Sequence, residues 1–230
     1  MKLCLIPARG GSKRIARKNI KPFYGQPMIA YPIKAAQASG LFDQVVVSTD
    51  DDEIAQISRN YHAQVPFMRP AELADDHTAT RPVLLHALEW FAQQGLVISE
   101  LTCIYPCSPF ISEGLLHQAY KAWQDSDADY CMSVCAFPSA PQRALIQNEQ
   151  GRVSSLMPQF RSARTQDLAP AFYDAGMFYF CRPDALRAQT AIHSTASYPF
   201  VLPSHLAHDI DTLEDWRRAE RFYEVEHSCN

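Results

Sequence analysis

Continuous apolar runs alternate with amphipathic helical patterns along the first two-thirds of this 230-residue chain, and this alternation constrains the fold more than any other feature. The runs are 3–7 (LCLIP), 44–48 (QVVVS), 101–105 (LTCIY) and 130–136 (YCMSVCA). They do not alternate apolar with polar, so both faces of the sheet they form are expected to be covered. Helical patterns lie between them at 28–39, 51–61, 79–94 and 112–124. Gly40 closes the first, the second carries acidic residues in its opening turn, and Ser112 is placed to cap the last. A short strand is expected near 64–66. The reading is an α/β fold with a mostly parallel sheet flanked by helices. Ligands of such sheets bind beyond the carboxyl ends of the strands.

After residue 137 the texture changes. Segments 143–147 and 152–156, joined by Asn148-Glu149-Gln150-Gly151, read as a hairpin. Residues 157–170 read as irregular and polar, 177–181 (MFYFC) as a strand, and the segment after Thr212 as a helix running to 226. With no repeat, low-complexity tract or linker, 1–230 reads as one domain. The insert at 137–180 is placed to cover the crevice or to pair subunits.

The most pointed local feature follows the first strand. Arg9-Gly10-Gly11-Ser12-Lys13-Arg14 leads into Arg17-Lys18-Asn19, bringing two glycines and five basic side chains together in a chain whose net charge is −4. Glycines let backbone N–H groups approach an anion, and lysine and arginine supply charge for phosphate oxygens. The spacing is neither G-x-x-x-x-G-K-[ST] nor G-x-G-x-x-G. A basic loop of this length can also be an ordinary solvated surface. Its place at a strand end, in line with Asp50 and Tyr105-Pro106 after two other strands, favours a polyphosphate site.

Near the other end, Asp209 and Asp211 flank Ile210. In extended backbone both carboxylates lie on one face and suit Mg²⁺, which takes oxygen ligands and keeps waters and substrate phosphates. Alternatively, Asp211 or Thr212 caps the helix that follows. Arg69 reads as a surface residue, with Asp75-Asp76 available as partners. Gln142-Arg143 and 161–167 form a polar group that could bind a hydroxyl-rich acidic sugar or be ordinary surface; pattern alone favours surface. The eight histidines form no evident triad, and the G-x-S-x-G elbow is missing.

Composition excludes several classes. Hydrophobic content of 47% and charged content of 20% are those of a globular enzyme. Net acidity argues against broad nucleic-acid binding. No run of about 18 apolar residues marks a membrane span, and the N-terminus does not read as a signal peptide. The seven cysteines include pairs four apart, Cys103/Cys107 and Cys131/Cys135, with no histidine spacing for zinc. Reduced thiols and a cytoplasmic location follow as expectations.

Taken in order, IPARGGSKRIARKNI, VVVSTDDDEIA, FMRPAELADDHTAT, YPCSPF and DIDTLEDW resemble the CMP-sugar-acid synthetases, a cytidylyltransferase family. The resemblance runs nearly the full length. It implies the Rossmann-like nucleotide-diphospho-sugar transferase fold, Mg²⁺ as cofactor, a homodimer in which the insert makes contact, and transfer of CMP from CTP to an acidic nonulosonic sugar. Segment RTQDLAPAFYDAGMFYF points within the family to pseudaminic acid, with legionaminic or N-acetylneuraminic acid and the shorter octulosonate as alternatives. A non-catalytic nucleotide-binding regulator and a sugar-phosphate nucleotidyltransferase using another nucleotide are competing readings. Carried over by position, Arg9, Lys13 and Lys18 are the catalytic cations. Arg9, Gly10, Gly11, Ser12, Lys13, Asn19 and Arg69 hold the nucleotide, Asp209 and Asp211 the metal, and Gln166, Tyr173, Asp174 and Tyr105 the sugar. Two departures stand out: Ala16 replaces a usual Pro, and Cys107 a usual Thr.

Overall fold

A computed structural model describes residues 1–228; Cys229 of the cysteine inventory lies outside the described residues. Along the chain run β1 (Lys2–Pro7), β2 (Pro22–Phe23), β3 (Gln26–Pro27), α1 (Ala30–Ala38), β4 (Gln44–Ser48), α2 (Asp52–Asn60), α3 (Thr80–Gln93), β5 (Glu100–Ile104), α4 (Glu113–Gln124) and β6 (Tyr130–Ala136). Then follow β7 (Leu145–Gln147), β8 (Val153–Ser155), β9 (Phe172–Cys181), α5 (Pro183–Arg187), β10 (Ser197–Val201) and α6 (Leu213–Ser228).

Six strands form the main sheet in the order β10-β6-β9-β5-β1-β4. β9 alone runs against its neighbours β5 and β6; the other pairings are parallel. The sheet is therefore mostly parallel, with one reversed strand near its middle. Side chains along β1 divide the core, as the two-residue period of a strand requires. Cys4 and Ile6 pack with Ile33 of α1, Leu116 and Trp123 of α4 and Trp216 of α6. Leu3 and Leu5 pack with Leu84, Leu88 and Phe91 of α3 and with Leu186 of α5. Helices thus cover both faces, which is why these strands read as unbroken apolar runs.

β9 begins at Phe172, earlier than the apolar run at 177–181 suggests, because its first half is exposed. The β6–β9 register shifts between Met132 and Val134. There the Ser133 hydroxyl accepts from the Phe178 N–H at 3.0 Å and donates to the Phe178 carbonyl at 3.0 Å. Beyond this irregularity Asp174 pairs with Val134 of β6. β10 carries no readable strand pattern, because Pro199 interrupts it and most of it is exposed. It pairs only with β6, at the sheet edge, where a proline is tolerated. The expected strand at 64–66 shrinks to a bridge between Val46 and Gln64. The hairpin forms as β7 and β8, and 157–170 contains two short helical turns, at Pro158–Phe160 and Thr165–Asp167. No helix among the described residues is long and apolar enough to cross a membrane.

Candidate active site

The carboxyl ends of β1 and β5, with Gly176 and Tyr179 of β9, border a cleft of about 410 Å³. One wall is the basic loop after β1, with Arg9, Ser12, Lys13, Arg14, Lys18 and Asn19. Tyr105, Tyr179 and Thr80 form another part of the wall, and Asp209 and Asp211 also line the cleft. Arg69 and Cys107 also line the cleft, while Gly10 and the exposed Gly11 are not among its lining residues.

The loop is pinned from both sides. Gly10 donates its N–H to the Asp50 carboxylate at 2.9 Å. A Cβ on Gly10 would lie 2.8 Å from an Asp51 carboxylate oxygen, so any larger residue forces the loop or Asp51 to shift. Around Gly11 there is nothing within 4 Å, and no such demand exists. Asp51 caps α2 through the Ile54 N–H at 2.9 Å and accepts two bonds from Arg17, at 2.5 and 3.0 Å. Arg17 also pairs with Glu53 and sits at φ +55°, a left-handed conformation. Of the five cations, Arg17 is therefore spent on the scaffold. Its guanidinium is the main reason that the Asp51 carboxyl lies below its ordinary range.

The remaining cations face carboxylates. Arg9 meets Asp76 at 2.8 Å, and Lys13 pairs with the same carboxylate. Arg14 reaches Asp211 at 2.7 Å, and Lys18 bridges Asp211 at 3.2 Å and the Ile210 carbonyl at 2.8 Å. Asn19 is nearly buried and donates to the Arg9 carbonyl at 2.9 Å, fixing the start of the loop. The Cys107 thiol, pushed up to about 12 by burial, stays protonated and meets Asn19 Oδ1 at 3.5 Å. The thiol therefore supplies a weak donor at this position.

Arg69 is not a surface residue: only 6% of it is exposed. A bridge between Thr49 and Met68 carries it over the end of β4, where its guanidinium donates to the Ser48 hydroxyl at 3.1 Å and to the Ser48 carbonyl. Burial pulls its pKa down to about 10. Asp75 and Asp76 are not its ion-pair partners. Asp75 folds a turn by accepting from the His77 and Thr78 N–H groups, and Asp76 serves Arg9 and Lys13.

At the far end, the capping question resolves onto Thr212. Its hydroxyl accepts from the Asp215 N–H at 3.2 Å, while Asp215 accepts from the Thr212 N–H at 2.8 Å, a reciprocal capping box. The Asp209 and Asp211 carboxylates are thereby left out of the cap. Asp211 is balanced by Arg14 and Lys18. Asp209 makes no side-chain hydrogen bond or ion pair among the described residues, and its carboxyl is raised by burial first and by Asp211 second. An unbalanced carboxylate beside a second one suits a hard divalent cation. No cluster of three or more His, Cys, Asp or Glu able to hold a metal occurs among the described residues.

On the Tyr105 wall, the Tyr105 and Thr80 hydroxyls share a 2.6 Å hydrogen bond, and burial pushes Tyr105 up to about 12. Tyr179 packs edge-on against Tyr105 and donates to Asp174 at 2.5 Å. Asp174 and Tyr173 line a smaller pocket of about 270 Å³ that shares His208 and Asp209 with the cleft. Gln166 sits exposed in the turn Thr165–Asp167, outside both pockets. Asp50, expected at the crevice as a residue after a strand end, holds the Gly10 N–H; Asp51, Asp76, Thr80, Tyr179 and His208 are elements around this site that sequence reasoning did not assign. The acidic runs 50–52 and 75–76 were visible as strings, but their pairing across the fold was not.

The family model for cytidylyltransferases matches residues 3–153, and the chain belongs to that family of CTP-using nucleotidyltransferases. Among individual proteins, it is 39% identical to the pseudaminic acid cytidylyltransferase of Campylobacter jejuni subsp. jejuni, over 98% of this chain and 97% of that one. It is 29% identical to the CMP-N,N'-diacetyllegionaminic acid synthase of Legionella pneumophila, over 97% and 96% of the two chains. A solved CMP:2-keto-3-deoxy-manno-octonic acid synthetase complexed with CTP superposes with a TM-score of 0.68 at 17% identity, covering 98% and 99% of the two chains. That last likeness shows the shared fold.

Proposed function

We propose that this enzyme transfers CMP from CTP to the anomeric hydroxyl of pseudaminic acid, releasing pyrophosphate. The observation that carries the reading is the cleft itself. Arg9, Lys13, Arg14 and Lys18 gather after the end of β1 and share one cleft with Tyr105 and with an Asp209/Asp211 pair that takes no part in capping α6, Arg14 and Lys18 touching Asp211 directly. The similarity at 39% to a pseudaminic acid enzyme supports the choice of sugar.

The anomeric oxygen of the sugar bonds to the α-phosphorus as the bond from that phosphorus to the pyrophosphate oxygen breaks, and the hydroxyl proton passes to solvent. Little covalent chemistry is asked of the protein. It must align attacker and leaving group and neutralise charge that moves onto pyrophosphate. Arg9 and Lys13 take the β- and γ-phosphates. Lys18, tied to the Ile210 carbonyl, keeps the basic loop and the Asp211 segment at a fixed spacing. Arg69 is locked on Ser48 and forms a rigid floor on the nucleotide side. Asp209 and Asp211 would hold Mg²⁺, which supplies charge neutralisation at the phosphates. Tyr105 and Asp174, linked through Tyr179, offer a hydroxyl and a carboxylate to the sugar, and Tyr173 extends that side.

We also propose a homodimer that uses the β7–β8 hairpin, on which Leu145, Ile146, Val153 and Leu156 are exposed. Light scattering should give twice the chain mass, and a monomer in a hairpin variant carrying Leu145→Lys and Val153→Lys. The six described cysteines are unpaired, which supports residence in the reducing cytoplasm.

The test is product analysis. The protein is incubated with CTP, Mg²⁺ and, separately, pseudaminic, N,N'-diacetyllegionaminic and N-acetylneuraminic acids. CMP-pseudaminic acid and pyrophosphate should accumulate fastest. Faster conversion of another sugar would overturn the substrate assignment, and no CMP-sugar from any of them would overturn the reaction.

A further inference from the structure

We infer that Asp76 is an internal stand-in for the outer phosphates: its carboxylate competes with them for Arg9 and Lys13 and returns to both cations as pyrophosphate leaves. This rests on the proposed function above, because it presumes that Arg9 and Lys13 receive the β- and γ-phosphates.

The contact is specific in geometry. One carboxylate spans two cations, with Oδ1 on Arg9 at 2.8 Å and Oδ2 on Lys13. The Asp75 carbonyl accepts a further bond from Arg9 at 2.6 Å, so the turn is latched at two points. The turn itself is internally built. Asp75 accepts from the N–H groups of His77 and Thr78 and from the Thr78 hydroxyl at 2.7 Å, which presents Asp76 to the loop without its own backbone being held by the sheet. Lys13 remains 80% exposed despite the pair, so an incoming anion can approach it. The other carboxylates around the loop differ in kind. Asp51 is committed to Arg17 and to capping α2, and Asp211 is tied into the end of the cleft. Asp76 alone is both bound to the phosphate cations and carried on a surface turn.

The physical consequence is an exchange. A cluster of cations strong enough to bind a triphosphate also binds pyrophosphate and so slows its release. A resident carboxylate lowers the affinity for both by the strength of the pairs that must break. Two partly exposed pairs of ordinary surface strength correspond to about two- to tenfold in affinity. Ligands whose phosphate does not reach Arg9 and Lys13 are unaffected.

The measurement is calorimetric binding of CTP, pyrophosphate and CMP to the wild-type protein and to Asp76→Asn, with Asp76→Ser as a second variant should the first not fold. The expected result is that CTP and pyrophosphate tighten about two- to tenfold while CMP stays within error. In turnover, pyrophosphate should inhibit the variants at correspondingly lower concentration. Unchanged or weaker binding of CTP and pyrophosphate would overturn the proposal, because Asp76 would then orient the cations rather than compete for them. Equal tightening of all three ligands would overturn it too, since that marks a general change of field. Failure of the wild-type protein to bind CTP would sink the functional reading and this inference with it; every other adverse result sinks the inference alone.

Discussion

Adding one methyl group at Gly10 should cripple the enzyme, while the same change at Gly11 should pass almost unnoticed. At position 10 the new Cβ would lie 2.8 Å from Asp51 Oδ2 and 3.0 Å from Asp51 Cβ, where ordinary contact begins at 3.4 Å. About 0.6 Å of movement is needed, and Asp51 cannot give it cheaply, because two Arg17 bonds and the Ile54 cap hold it. The loop must move instead, and with it Arg9 and Lys13. Overpacking of this kind costs about 1–3 kcal/mol, or roughly 2–12 °C in melting temperature for a chain of this size. A full 1 Å misplacement costs about 10²-fold, so displacing Arg9 and Lys13 by a fraction of an ångström should cost about tenfold or more in kcat/KM under the proposed mechanism. Gly11 has open space around it and no left-handed φ, so Gly11→Ala should melt within about 1 °C of wild type. The assay is pyrophosphate release with CTP and sugar acid varied, alongside thermal melts of both variants. Equal behaviour of Gly10→Ala and Gly11→Ala would refute the claim that Asp51 sets the position of the loop.

Lys13→Ala and Asp211→Ala should each lower turnover by about 10²–10³ while melting close to wild type, by analogy with the loss of other preorganised charge contacts; wild-type turnover in either removes that residue from the mechanism. Arg69→Met should lower stability by about 1–3 kcal/mol in urea, because the Ser48 hydroxyl and carbonyl lose a buried partner. Thr212→Ala should cost about 1 kcal/mol by removing the cap of α6, and an unchanged melt would mean that Asp215 holds the segment alone. The Asp51 carboxyl is held below its ordinary range chiefly by Arg17, so its stabilisation is complete above the unfolded-state value near pH ~4 and is lost as pH falls through the lower folded-state value. Urea melts of wild type and Arg17→Gln should therefore differ at pH 7 and converge in strong acid; an equal gap at both pH values would contradict the pairing.

What the sequence disclosed follows from the range of the forces involved. β1, β4, β5 and β6 were legible because strands covered on both faces need unbroken apolar runs, and the β7–β8 hairpin because Asn148 to Gly151 carries the turn chemistry. β10 was not legible, since an edge strand pairs on one side only and so tolerates Pro199 and exposed side chains. Arg9, Lys13, Lys18, Asn19, Asp209 and Asp211 could be chosen because they cluster in short strings or follow strand ends, and the structure brings them to one cleft. Arg69 was misread for a physical reason: an arginine in a loop is expected in water, and only the bridge from Met68 to Thr49 buries it. The same limit hid the spending of Arg17 on Asp51 and the role of Asp76. Each depends on residues about 35 to 65 positions apart meeting at the strand ends, which no local pattern encodes.

A crystal structure with CTP and Mg²⁺ bound tests the core of the account most directly. The triphosphate should lie against Arg9 and Lys13 at the end of β1, with the metal between it and Asp209 and Asp211. A nucleotide bound anywhere else, or with its phosphates turned away from those two side chains, would contradict it.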